Sequence, residues 1–307
     1  MSDVVPPLKL WIYPLSAISI ILLWFFSYAY TGYGPYARVV ALAHRSLEQA
    51  LIENTSDTSA LSIVIVGSSL TENAFSDPKE IENNISKATN KKAKVLRVAL
   101  NYMDMDMAHQ IDFFEYVTKY PPNYLFIENT FNMINPDSSN SLPVNVDAAL
   151  LHIRNNIRGA LGMPMHDDYY TKWYTYDEKP LPGSDFYTHN FDSITFRYLK
   201  EKKLHVVRKI IQNGEANSAY DLLMRRNSKV VFLDPPQSNK LPHNFLDRES
   251  TSELNEVLKF YETQYGVECW RFPRQMADSC FTDGAHLNSE GAMQYQEWFV
   301  SEVASKK

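Results

Sequence analysis

Leu61-Ser62-Ile63-Val64-Ile65-Val66-Gly67-Ser68-Ser69-Leu70-Thr71 opens as a strand and closes as a turn. Leu61–Val66 is apolar and β-branched apart from one serine, the composition of a strand buried on both faces. Gly67 then lets the backbone bend without a Cβ clash. The serines that follow place a hydroxyl at a sharp turn into a helix, whose first N–H groups have no helical acceptor and can meet a developing oxyanion.

Four more strand-length apolar runs follow: Lys94–Leu100, Tyr124–Glu128, Lys229–Leu233 and Val267–Phe272. Helical patterns lie between them. A helical stretch over Tyr36–Glu53 precedes the first strand. Ser250-x-x-Glu253 reads as a capping box, with Leu254, Val257, Leu258, Tyr261 and Tyr265 on one face. Asn288 caps a last helix through Gly291, Tyr295, Trp298 and Phe299. Strands alternating with helices predict an α/β domain whose mainly parallel sheet is covered on both faces, with chemistry beyond the carboxyl ends of the strands. Residues 136–195 break the rhythm. They hold a helix-like stretch, Val146–Leu161, then eight aromatics in 23 residues, from Tyr169 to Phe191. This block reads as an insertion that either packs over the sheet or lines a sugar-binding groove.

The N-terminal region has another character. No charged residue occurs from Leu10 to Ala37, and Leu10–Tyr30 supplies 21 residues, about 31 Å of helix. That length fits a hydrocarbon core of about 30 Å, and Trp11, Tyr13, Tyr28 and Tyr30 fit its interfaces. Pro14 falls in the first turn of such a helix, where its missing N–H is tolerated. A cleaved signal peptide is the rival reading, against which the long apolar stretch and weakly basic start count. The expected layout is a short tail over 1–9, a membrane anchor over 10–30, a helical linker over 31–59 and the α/β domain over 60–307. Lys9 before the span and Arg38 and Arg45 after it leave orientation undecided. Cys269 and Cys280 are the only cysteines; one reading pairs them in an oxidising compartment, the other takes them as two unrelated buried thiols. The first places the domain outside the cytoplasm.

The chain has 307 residues, 45% hydrophobic and 21% charged, which excludes a disordered or fibrous protein. Thirty basic against 36 acidic residues give a net charge of −6, which argues against a nucleic-acid partner. No HExxH, Walker A or GxGxxG run is present. His109, His152, His166, His189, His205 and His243 carry no metal-ligand spacing, so neither metal nor cofactor is expected. Asp104 and Asp106 read as loop carboxylates.

Asp283-Gly284-Ala285-His286-Leu287-Asn288 follows the last strand. A carboxylate and an imidazole three apart on a loop suit a general base and the group that fixes its tautomer. Taken together, Gly67-Ser68-Ser69-Leu70 and Asp283-x-x-His286-Leu287-Asn288 resemble the first and last blocks of the SGNH/GDSL hydrolase superfamily. The five-strand rhythm is similar to its flavodoxin-like three-layer fold. The resemblance implies a Ser69 nucleophile, a His286 base, an Asp283 partner, and an oxyanion hole from the Ser69 N–H and the side chain of Asn129 or Asn132. Ser68 stands where the name-giving motif has Asp. That variant looks like membrane-anchored SGNH proteins that work beside membrane-bound O-acyltransferases on cell-surface polymers. The implied activity is O-acyl transfer to an envelope or secreted polysaccharide, on a single-pass inner-membrane protein facing the periplasm or exterior. Alternatives are a carbohydrate esterase or deacetylase, and a catalytically weak polysaccharide-binding scaffold. The second block, Ala99–Asp104, lacks the family's glycine, so that donor is either a backbone N–H near Asn101–Met103 or missing. Where the third block normally reads Gly-x-Asn-Asp, this chain has Glu128-Asn129-Thr130-Phe131-Asn132.

Overall fold

A computed structural model describes residues 8–30, 46–99, 108, 111–129, 133–134, 161, 205–206, 214–238, 248–273, 275–282 and 285–306, without the side chains of 8–10, 25–30, 133–134, 205–206, 214–216, 248–251 and 253. Two compact units emerge, Met1–Leu42 with Asp137–Tyr174, and Ala43–Pro136 with Thr175–Lys307.

In the first unit, α1 (Leu8–Tyr30) is a 23-residue helix over the expected anchor. It begins earlier than expected, so Pro14 sits in its second turn rather than its first. Its described side chains, including Trp11, Tyr13, Leu23 and Trp24, are exposed. Among the described residues no helix is long and apolar enough to cross a membrane.

The second unit begins with α2 (46–55), the described part of the expected helix over 36–53. Its Leu47 and Leu51 are fully buried, and Asn54 donates to the Ile63 carbonyl at 3.3 Å. All five expected strands form, as β1 (Leu61–Gly67), β2 (Ala93–Ala99), β3 (Tyr124–Glu128), β6 (Lys229–Asp234) and β7 (Glu268–Arg271). Two short strands, β4 (Met133–Ile134) and β5 (His205–Val206), make a separate antiparallel ribbon. The main sheet runs β2-β1-β3-β6-β7 with every neighbouring pair parallel. That is the flavodoxin-type order, which reverses direction between β1 and β3 and opens a crevice at their carboxyl ends.

Alternation along each strand fills two faces. Ile63, Ile65, Phe126, Val231 and Leu233 join Phe75, Ile81, Ile85, Tyr295 and Phe299 in one core. These come from the side covered by α3 (Ser69–Ala74), α4 (Pro78–Thr89) and α8 (Ser289–Ser305). On the other face Phe232 meets Tyr220 and Tyr261, and Tyr220 meets Phe114. Those rings belong to α5 (Phe113–Lys119), α6 (Gly214–Arg225) and α7 (Arg248–Tyr265). Three layers result because both strand faces are apolar and each must be covered.

Local chemistry explains the helix ends. Asp77 caps α4 by accepting from the Glu80 N–H at 3.0 Å, with Pro78 in the first turn. Asn288 caps α8 as expected, accepting from Gly291 N–H at 3.0 Å. Helix α7 starts at Arg248, before the expected Ser250 cap, while Leu254, Val257, Leu258 and Tyr261 are buried as the periodicity requires. The cysteine pairing is corrected: Cys269 and Cys280 are separate thiols, the first exposed on β7 and the second buried in the short turn Asp278–Cys280. Nearness in sequence does not bring together a residue on a strand surface and one tucked under α8. The expected helix over 146–161, apart from Leu161, and the aromatic block over 169–191 lie outside the described residues.

Phe299 anchors α8, fully buried with ring centroids 4.9 Å from Phe75 and 4.8 Å from Phe126. Phe299→Ala is expected to cost about 3–5 kcal/mol in a denaturant melt. A loss under about 1 kcal/mol would contradict the packing described for α8.

Candidate active site

The two resemblance blocks meet at the carboxyl end of β1. Ser69 Oγ lies 2.8 Å from His286 Nε2, across a separation of 217 residues. Each partner is held by its own turn. Ser68 caps α3, its Oγ accepting from the Leu70 N–H at 3.2 Å, so Ser69 becomes the first helical residue. His286 sits in a loop closed by the antiparallel bridge Phe281–Leu287. Its carbonyl accepts from the Thr282 N–H at 2.9 Å, and Asn288 donates to the Cys280 carbonyl from its N–H at 2.9 Å. Helix α8 presses onto this loop at Gly291, where an added Cβ would meet the Cys280 carbonyl oxygen at 2.3 Å. Asp283, expected to orient the imidazole, lies outside the described residues.

Beneath the Ser69 turn is a group the motif comparison passed over. Glu128, the last residue of β3, is only 1% exposed. Its Oε2 accepts from the N–H of Ser68 at 2.9 Å, the N–H of Thr71 at 3.0 Å and the hydroxyl of Thr71 at 2.6 Å; its Oε1 accepts from the Ser68 hydroxyl at 2.7 Å. The available signal was an ionisable residue ending an otherwise apolar buried strand, Tyr-Leu-Phe-Ile-Glu. Gly67 is required by the same arrangement, because a Cβ there would lie 2.0 Å from Thr71 Oγ1 and 2.6 Å from Glu128 Oε2.

The expected oxyanion donors fare differently. Asn129, directly after Glu128, is buried, and its Nδ2 donates to Asp234 Oδ1 at 2.7 Å. Asp234 in turn accepts from Arg271 Nε at 2.9 Å. One amide hydrogen of Asn129 is thus committed to the ends of β6 and β7. Burial pushes the Asp234 carboxyl up, opposed by Arg271 and by the Asn129 bond. Asn132 and the backbone of 101–103 lie outside the described residues, as do Asp104 and Asp106. Among the described residues no group of three or more His, Cys, Asp or Glu side chains could hold a metal.

Glu72 stands one turn beyond Ser69 on α3. Burial pushes its carboxyl up to about 7, against the pull of Arg97 and His286. Arg97 Nη1 donates to the carbonyls of Phe75 at 2.7 Å and Ser76 at 3.1 Å, fixing the end of this short helix.

No family model matches the chain, and no curated protein matches it significantly. Among solved structures, the chain is similar to a proposed acylhydrolase from Bacteroides fragilis, at 13% identity and a TM-score of 0.39 over 85% of this chain and 95% of that one. It is also similar to a GDSL-like lipase from Bacteroides thetaiotaomicron, at 12% identity and a TM-score of 0.39 over 90% and 98% of the two chains. Overlaps this loose carry no argument about activity, which rests here on the residues themselves.

Two outcomes follow from this geometry. Gly67→Ala is expected to destabilise the fold by about 1–3 kcal/mol through overpacking against Thr71 and Glu128, read by thermal melting; an unchanged melt would contradict the fit. For Glu72, a folded-state carboxyl raised above its unfolded value stabilises the fold at low pH and loses that contribution as pH rises from about 4.5 to about 7. Glu72→Gln should therefore flatten the fall in stability across that window, and an identical pH–stability curve would contradict the burial of this carboxyl.

Proposed function

We propose that this chain is a serine-dependent acyl-ester enzyme of SGNH type, with Ser69 as nucleophile and His286 as general base. The observation that carries the reading is the 2.8 Å approach of Ser69 Oγ to His286 Nε2. That is hydrogen-bond reach, which proton transfer requires. In the first step Ser69 Oγ attacks the ester carbonyl while His286 Nε2 takes its proton. The carbonyl electron pair becomes an oxyanion beside the Ser69 N–H, with Asn129 or Asn132 as the side-chain donor. Collapse expels the alcohol, which leaves with the proton held by His286. A second hydroxyl then attacks the acyl-enzyme by the same route. Asp283 is assigned to the Nδ1 side of the imidazole.

The finer reading is O-acyl transfer to an envelope or secreted polysaccharide, on a protein tethered through 10–30 and facing the periplasm or exterior. Its support is the run of α1 from Leu10 onward, which carries no charged residue, the aromatic-rich sequence at 169–191 and the Gly-Ser-Ser form of the first block. A membrane-bound O-acyltransferase is the proposed source of the acyl group. Water and a sugar hydroxyl attack the same intermediate, so a carbohydrate esterase would share the first half of the reaction.

Intact mass spectrometry of wild type and Ser69→Ala after exposure to a fluorophosphonate is the direct test. One adduct is expected on wild type and none on the variant, with ester turnover in Ser69→Ala reduced by roughly 10³-fold or more. A wild-type chain that stays unmodified would end the acyl-enzyme reading. With an acetyl-ester donor, turnover that rises only when polysaccharide is added would support transfer; full turnover in water alone would assign the chain to the esterases.

A further inference from the structure

The amides around Ser69 are not equivalent. The Ser68 and Thr71 N–H groups both donate to Glu128 Oε2, the Leu70 N–H donates to Ser68 Oγ, and the Glu72 N–H to the Ser68 carbonyl at 3.0 Å. In the run from Ser68 to Glu72, only the Ser69 N–H has no acceptor among the described residues. As the first helical amide it has no intrahelical partner either. A buried carboxylate at the end of the neighbouring strand has thus taken the donors on both sides of the serine.

We propose that Glu128 is the positioning residue of the nucleophile turn: by holding Ser68 and Thr71 it leaves the Ser69 N–H as the turn's single donor for an oxyanion and keeps Ser69 Oγ directed at His286. This inference rests on the acyl-enzyme reading and adds a residue to it. Both carboxyl oxygens of Glu128 are turned to Ser68 and Thr71, so its role lies in geometry. Glutamine has the shape to replace it. Its carbonyl oxygen can accept the three bonds now made to Oε2, and its amide can donate to Ser68 Oγ. Alanine leaves two backbone N–H groups buried and unpaired, which allows the turn to relax toward other acceptors.

The experiment compares the full chain carrying Glu128→Ala or Glu128→Gln with wild type, measuring the rate of fluorophosphonate labelling at Ser69, ester turnover and amide exchange in the Ser68–Thr71 turn. Glu128→Ala is expected to lower the labelling rate and kcat by about 10²-fold or more with little change in KM, since an oxyanion donor moves out of register. The Ser68 and Thr71 amides should exchange faster. Glu128→Gln should stay within a few-fold of wild type on all three measures. A folded Glu128→Ala chain that labels at the wild-type rate overturns the proposal, as does a Glu128→Gln chain as slow as Glu128→Ala. Should Glu128→Ala fail to fold, Thr71→Val, which deletes the 2.6 Å hydroxyl bond and keeps the shape, is expected to slow labelling several-fold; no slowing overturns the proposal. A wild-type chain with unreactive Ser69 is a different outcome, since it removes the acyl-enzyme reading and this inference with it.

Discussion

A carboxyl group buried at the end of a central strand costs free energy unless hydrogen-bond partners surround its oxygens. Glu128 meets that requirement with amides and hydroxyls drawn from one turn, four bonds in all from Ser68 and Thr71. The cost of burial is offset only while β1 and β3 remain in register, with Val66 opposite Ile127, because that register brings the turn over the carboxylate. The glycine before the turn, the short helix after it and the direction of the serine hydroxyl all depend on this one polar knot between neighbouring strands.

The opposite wall is built by different means. His286 is carried on a loop closed by backbone bonds and the Phe281–Leu287 bridge, and that loop is pressed down by the first turn of α8. Helix α8 takes its own position from Tyr295 and Phe299, which pack against Phe75 at the end of α3. Gln296 adds a polar link, donating to the Ala74 carbonyl at 2.8 Å. A hydrophobic contact between two helices thus holds Ser69 and His286 within hydrogen-bond distance, while hydrogen bonds fix the turn and the loop that carry them.

Much of this was legible from residue patterns, and for identifiable reasons. The five strands were found because β-branched and aromatic runs such as Ile63–Val66 and Val230–Phe232 have few other ways to bury both faces. The meeting of Ser69 and His286 was legible because a Gly-Ser-Ser turn after a strand and an Asp-x-x-His loop each carry a short local signature. Asn288 was legible as a cap because capping is local chemistry. Glu128 had no such signature: its partners lie 57 and 60 residues away, and only strand order makes them neighbours. Asn129 was singled out as an oxyanion donor from its place directly after the strand, whereas its bond to Asp234 spans 105 residues and could not be read along the chain. The cysteines misled for the same reason in reverse, since sequence proximity suggested a contact that the fold does not make.

The union of Ser69 with His286 also has a temporal meaning. Contacts of such long range form late, after local helices and nearby strand pairs. During synthesis, β1 and its turn leave the ribosome some two hundred residues before the histidine loop and α8, so Phe75 and Phe126 wait without their cover. The nascent chain therefore exposes an apolar sheet face, and Ser69 lacks His286 beside it, until residues 285–305 dock.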